Sequence, residues 1–267
     1  MRRGCFVAAV MAGSLAGLPC AAQTAPARDV QLLAPGGGWT DGALLATSLT
    51  AALVGNFALQ PPSDVPAPFD GHGHRAPDDG IDLASTVLLA TGLAAGAAGA
   101  WATDRFALHR GGWEQLRGVL VLGESVALTL GLVSMLKNLG ECRPRAWDDA
   151  SQRCVGTVPG MPVREDRVSF PSGHTSPLAA LAGASLGLAV LPAGGRRAWA
   201  PMAGVAGALA LTMMVLRVAA GAHDWVDTGT GLGIGLAAGF GTAALHTRAL
   251  PVQLTAGANG LALRGTF

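Results

Sequence analysis

Apolar residues in this chain come in long runs almost free of charge. Five of them, at roughly 83–103, 117–136, 174–191, 199–216 and 228–245, are long enough as helices, at about 1.5 Å per residue, to span ~30 Å of hydrocarbon. A sixth, 43–59, is shorter and carries Thr47, Ser48, Thr50 and Asn56. Most of the runs favour Ala and Gly over Leu and Ile, which predicts close helix packing. Buried helices of a soluble all-helical domain would share that composition, but the near absence of charge favours the membrane. Between the runs, the segment 60–82 holds Pro61, Pro62, Pro66, Pro68 and Pro77 and reads as a loop. Strand-like alternation occurs from Val252 to Phe267 around Asn259-Gly260, the signal of a short terminal hairpin. The pattern predicts an all-α bundle of five to six mostly transmembrane helices with a short C-terminal β-hairpin.

The first 22 residues have a separate reading. Met1-Arg2-Arg3, an apolar stretch from Cys5 to Leu18 and the small residues Cys20-Ala21-Ala22 make the three-part pattern of a secretory signal, with an uncleaved first helix as the alternative. The expected organisation is then a signal at 1–22, a helical domain at 23–248 and a tail at 249–267. Parity sets the topology: if 43–59 crosses, the loop 137–173 faces the cytoplasm, and if not, it faces outward. Loop charge barely discriminates. Cys142 and Cys154 both lie in that loop, and a cysteine pair in an exported loop reads as a disulfide, which favours the outward, periplasmic face of a bacterial inner membrane.

Composition narrows the function. The chain is 50% hydrophobic and 13% charged, with net charge +1, which excludes disordered, collagenous and nucleic-acid-binding proteins; any anion site must be local. Among the 18 basic residues Lys137 is the sole Lys, a mild sign of chemical need. His72 and His74 alternate in an acidic loop and read as solvated more readily than as metal ligands.

Three clusters suit an oxyanion. Lys137-Asn138-Leu139-Gly140-Glu141-Cys142-Arg143-Pro144 ends the run 117–136, and Lys137 and Arg143 can aim a point charge and a planar fork at one group, or merely snorkel to an interface. Ser169-Phe170-Pro171-Ser172-Gly173-His174-Thr175 opens the run 174–191, so that Ser172 and Gly173 amides at a helix start can face an anion while His174 exchanges a proton; a plain helix cap is the bland reading. In Arg217-Val218-Ala219-Ala220-Gly221-Ala222-His223-Asp224-Trp225-Val226-Asp227, His223 and Asp227 are four apart and would share a helical face, the carboxylate fixing the imidazole tautomer. Two antiparallel helices between the second and third clusters would bring Lys137, His174 and His223 to one side, whichever way the protein faces.

At these residues the sequence resembles the type 2 phosphatidic acid phosphatase (PAP2) superfamily, which includes lipid phosphatases, bacterial acid phosphatases and vanadium haloperoxidases. Pro171-Ser172-Gly173-His174 matches the family pattern in full, and Arg217, His223 and Asp227 match with the right spacings. Two departures stand out. Only five residues separate Lys137 from Arg143, one short of the pattern, so Arg145 is a second candidate cation; and Leu216 replaces the Ser before Arg217. The resemblance implies a PAP2/haloperoxidase-like helical fold and a two-step hydrolysis. His223, oriented by Asp227, would form a phosphohistidine, and His174 would protonate the leaving oxygen and then activate water. Lys137, Arg143, Arg217, Ser172 and Gly173 would hold the equatorial oxygens, with no metal or other cofactor. Glu124, mid-helix, is expected to support a site cation or to make a hydrogen bond within the bundle.

The expected activity is hydrolysis of a lipid phosphate or diphosphate at the membrane, with undecaprenyl diphosphate, phosphatidylglycerol phosphate, phosphatidic acid and lipid A phosphates all compatible. A soluble exported acid phosphatase of the same fold and a non-catalytic membrane protein with a relic site are the alternatives. Nothing in the sequence specifies an oligomeric state or a nucleic-acid partner.

Overall fold

A computed structural model describes residues 38–55, 75–151, 153–155, 166–191, 197–247, 252–257 and 260–265. The signal expected at 1–22, His72 and His74 lie outside these residues. Among those described, helices dominate: α1 Gly38–Leu53, α2 Asp79–Ala102, α3 Arg117–Leu136, α4 Thr175–Val190, α5 Ala200–Ala219 and α6 Trp225–His246. Two small antiparallel sheets complete the fold, β1 Trp147–Asp148 with β2 Arg153–Cys154, and β3 Val252–Gly257 with β4 Gly260–Gly265. The second is the C-terminal hairpin read from the alternation.

α4 is the central post. It packs against α3, α5 and α6, while α2 lies over α3 and α5, and α1 lies along α3. Leu178, Leu181 and Leu188 of α4 meet Val121, Leu122, Trp199 and Met213 in one apolar core. The contact with α6 is closer than side chains allow. Gly231, Gly235 and Gly239 recur every four residues and form a stripe along one face of α6. A Cβ at Gly235 would collide with the carbonyl of Ser176, one at Gly239 with that of Ala180, and one at Gly183 of α4 with that of Leu236. Lower on the same stripe, a Cβ at Gly231 would come within 2.8 Å of the Ser172 carbonyl. Small residues let the two backbones touch, and the stripe thereby fixes the turn before α4 against the start of α6.

Among the described residues three helical segments are long and apolar enough to cross a membrane: 79–107, 112–146 and 197–219. Their outward faces carry exposed Leu83, Val87, Leu132, Val205, Leu211 and Val215. Two of the five runs differ from expectation. The run 174–191 becomes a helix of 16 residues, about 24 Å long, and it is enclosed by its neighbours instead of facing outward. The run 228–245 lies in α6, whose stripe of glycines serves its contact with α4, and α6 is not among the long apolar segments. α2 begins at Asp79, four residues before the apolar run, because Asp78 caps it by accepting from the Ile81 amide at 2.9 Å, and Asp79 and Asp82 suit the positive end of the helix dipole. The loop expected at 60–82 therefore ends at Asp78.

Candidate active site

One end of the bundle collects all three clusters. α3 and α5 finish there, with Lys137 as the C-cap of α3 and Arg217 in the last turn of α5, where cations suit the negative end of the helix dipole. α2, α4 and α6 begin there, with Asp82, His174 and Asp227 at their first turns. The chemistry thus lies on helix ends and short connections, held by the packing beneath.

His223 and Asp227 meet, though not along a helix as their spacing suggested. His223 sits in the turn after α5, following Gly221 at φ 67°, and α6 starts only at Trp225. A capping box makes the start firm: Asp227 N–H donates to Asp224 Oδ1 at 2.8 Å, and Asp224 N–H returns a bond to Asp227 Oδ2 at 3.1 Å. Asp227 Oδ2 lies 3.3 Å from His223 Nδ1, and both residues are buried. Ser169 Oγ closes the corner, 3.3 Å from the same Nδ1, while donating its proton to Asp227 Oδ2. The two groups facing Nδ1 are therefore both acceptors. The ring proton belongs on Nδ1 and the lone pair on Nε2, the state in which an imidazole attacks an electrophile.

The cations form a cradle beside this corner. Lys137 Nζ donates to the Val168 carbonyl at 2.7 Å, and its side chain passes Gly173, where an added Cβ would lie 3.4 Å from Lys137 Cε. Arg143 is fixed through its amide, which donates to the Asp166 carbonyl at 2.7 Å, and its Nε has no partner among the described residues. Arg217, 2% exposed, places one terminal nitrogen on Asp82 Oδ1 and, at 2.8 Å, on Ser85 Oγ, leaving its Nε without a partner. Arg145, the second candidate cation, is bonded to Asp82 Oδ2 at 2.8 Å, and its Nε likewise has no partner among the described residues. Buried donors without partners in several guanidinium groups suit an anion with several oxygens.

One expectation is corrected. The Ser172 amide donates to the Asp227 carbonyl at 3.1 Å, so it ties the two turns together and is not offered to an anion. The Ser172 hydroxyl accepts from the Thr175 amide and hydroxyl at 3.4 and 3.2 Å, as a helix cap does. The close approach allowed by Gly231 puts the Ser172 backbone against α6 and so explains the commitment of its amide.

His174 precedes the first residue of α4, and its Nε2 lies 3.4 Å from Thr86 Oγ1. Burial first, then the charge of Arg217, holds its pKa down to about 4, with Lys137 and Arg143 acting the same way and Asp82 opposing them. Burial also pushes His223 well below the ordinary imidazole value, and Arg217, Lys137, Arg143 and His174 add to the effect. Each histidine thus feels the same three cations, and His223 feels His174 as well: the site is one electrostatic unit.

Sequence reasoning gave Ser169 no role, although it stands three residues before Ser172, and it passed over Asp82, Ser85 and Thr86. Glu124 supports no site cation. It lies two turns into α3, away from Lys137, and its Oε2 meets His246 Nε2 at 2.6 Å, a buried pair that joins α3 to the far end of α6. Cys142 and Cys154 are joined in a disulfide with Cα atoms 5.8 Å apart, beside Trp147 in the two-stranded β1–β2 ribbon.

No curated protein and no solved structure matches the sequence. A family model described as the PAP2 superfamily matches residues 118–250, a span that includes Lys137, Arg143, His174, Arg217, His223 and Asp227. The chain belongs to the PAP2 superfamily, whose members are generally phosphatases.

Proposed function

We propose that the protein hydrolyses a phosphate or diphosphate monoester of a lipid through a phosphohistidine. The observation that carries this reading is His223, with its proton held on Nδ1 by Asp227 and Ser169, which leaves the lone pair on Nε2, and with Arg217, Lys137 and Arg143 near enough to act on the ring. In the first step Nε2 bonds to phosphorus as the bond to the leaving oxygen breaks, and His174 gives that oxygen a proton. In the second, His174 takes a proton from water as the water oxygen displaces His223 and frees inorganic phosphate. The three cations oppose the charge spread over the equatorial oxygens in the transition state. Their effect on His174 reverses when substrate binds: a phosphoryl dianion set among them offsets their charge and favours the protonated imidazole that the first step requires.

A lipid substrate fits the position of the site, at one end of helices whose outward faces are apolar, so that a headgroup can reach the cations while its chains stay in hydrocarbon. The disulfide in the loop 137–173 supports a periplasmic orientation, because such bonds persist in oxidising compartments. Phosphate release from a panel of lipid phosphates and diphosphates in excess EDTA tests the proposal. Turnover should survive the chelator, fall to background in His223→Ala and His174→Ala, and be inhibited by vanadate. Turnover abolished by EDTA, or retained by His223→Ala, would refute it.

A further inference from the structure

The first turns of α2 lie outside the matched residues 118–250, yet they form a wall of the site. Asp82, Ser85 and Thr86 stand at i, i+3 and i+4 and so share one face. Asp82 places one carboxylate oxygen on Arg217 and the other on Arg145. Ser85 Oγ accepts from Arg217 at 2.8 Å while donating to the Asp82 carbonyl at 2.7 Å. Thr86 Oγ1, which also reaches the Asp82 carbonyl, lies at His174 Nε2. Chain separations of 135 and 63 residues join Asp82 to the two arginines.

This carboxylate has a physical cost. A negative charge on Arg217 repels a phosphoryl group and lowers the affinity of the cradle for any anion. It also has a use, because a long guanidinium chain loses rotamer freedom most cheaply when one side of its fork is already held. Binding energy that favours the ground state or the released phosphate does not speed the reaction; an oriented cation that opposes charge developing in the transition state does. We propose that Asp82 is a positioning residue of the phosphoryl-transfer site: it fixes the Arg217 fork together with Ser85, engages Arg145, and lowers ground-state and product affinity in exchange for turnover. The inference rests on the phosphatase reading for its kinetic part, but not for its anion-binding part.

A second effect passes through His174. The charged groups that face this ring are Arg217 from α5, Asp82 from α2, and Lys137 and Arg143 from the end of α3 and the loop after it. Asp82 is the one among them that favours the protonated imidazole. Removing its charge should therefore leave less acid available at a given pH.

The test compares the full-length protein in detergent with Asp82→Asn, Asp82→Glu and Ser85→Ala. In Asp82→Asn, inorganic phosphate measured by calorimetry should bind about tenfold tighter, kcat should fall by about tenfold or more, and the alkaline limb of the kcat–pH profile should move to lower pH. Asp82→Glu should recover part of kcat and return the limb. Phosphate affinity that is unchanged or weaker in folded Asp82→Asn overturns the proposal, as does a kcat within twofold of the parent. If Asp82→Asn does not fold, Ser85→Ala decides: it keeps the carboxylate, so kcat should fall while the pH profile stays, and an unchanged kcat overturns the proposal. Should the parent release no phosphate from any ester, the phosphatase reading fails, and calorimetry with inorganic phosphate still decides the role of Asp82.

Discussion

At the scale of single residues, the site works by pairing one neutral imidazole with acceptors and surrounding it with cations. Asp227 and Ser169 both accept at His223 Nδ1, so Asp227→Asn should let the ring take the other tautomer and lower kcat by roughly three orders of magnitude, with a smaller loss in Ser169→Ala. Single-turnover phosphate release measures both. The depressed imidazoles also make stability depend on pH, and the sign follows from which state binds more protons. His174 titrates near 6.5 when unfolded and at about 4 in the fold, and His223 is depressed in the same direction. Below about 6.5 the unfolded chain gains protons that the native state refuses, so the stability these rings contribute is complete above that pH and drains away as it falls toward 4. Melting temperature in detergent without phosphate should therefore drop across that window, and should drop less steeply in His174→Gln.

At the scale of elements, α4 and α6 show how sequence without chemistry builds a chemical site. The Gly231, Gly235 and Gly239 stripe meets backbone carbonyls that cannot yield, so Gly235→Ala and Gly239→Ala should each cost ~1–3 kcal/mol. A Cβ at Gly229 or Gly233 meets nothing, and Ala there should be neutral or stabilise α6 by ~0.5–1 kcal/mol. Thermal denaturation of the four variants checks the contrast. The helices themselves were legible: 117–136 coincides with α3, 199–216 starts one residue before α5 and otherwise lies within it, and 228–245 falls inside α6, because unbroken apolar runs ended by Gly, Pro and charge leave few alternatives. That both histidines and the cations gather at one end of the bundle was legible from motif spacing. Asp82 was not, since its partners are remote in the chain and its own neighbourhood reads as an acidic loop leading into a helix. Glu124 was visible as an anomaly, but its partner His246 stands 122 residues away with no periodicity to link them.

At the scale of the molecule, three long apolar segments with exposed Leu and Val on their outer faces predict that the protein stays with the membrane after high-salt and alkaline washes and needs detergent for release. Appearance in the wash supernatant would favour a soluble phosphatase on the same scaffold. The five helix ends that meet at the site, α3 and α5 arriving and α2, α4 and α6 departing, place both histidines and the cations on one side of the bundle. The backbone contact between α4 and α6 has a mechanical corollary. Two helices that meet through glycines and alanines have little side chain between them to slide on or compress, and together they make a stiff keel carrying both histidines. Any motion that widens the site therefore has to hinge elsewhere, in the outer helices, and there α2 is the member that already holds a latch on Arg217.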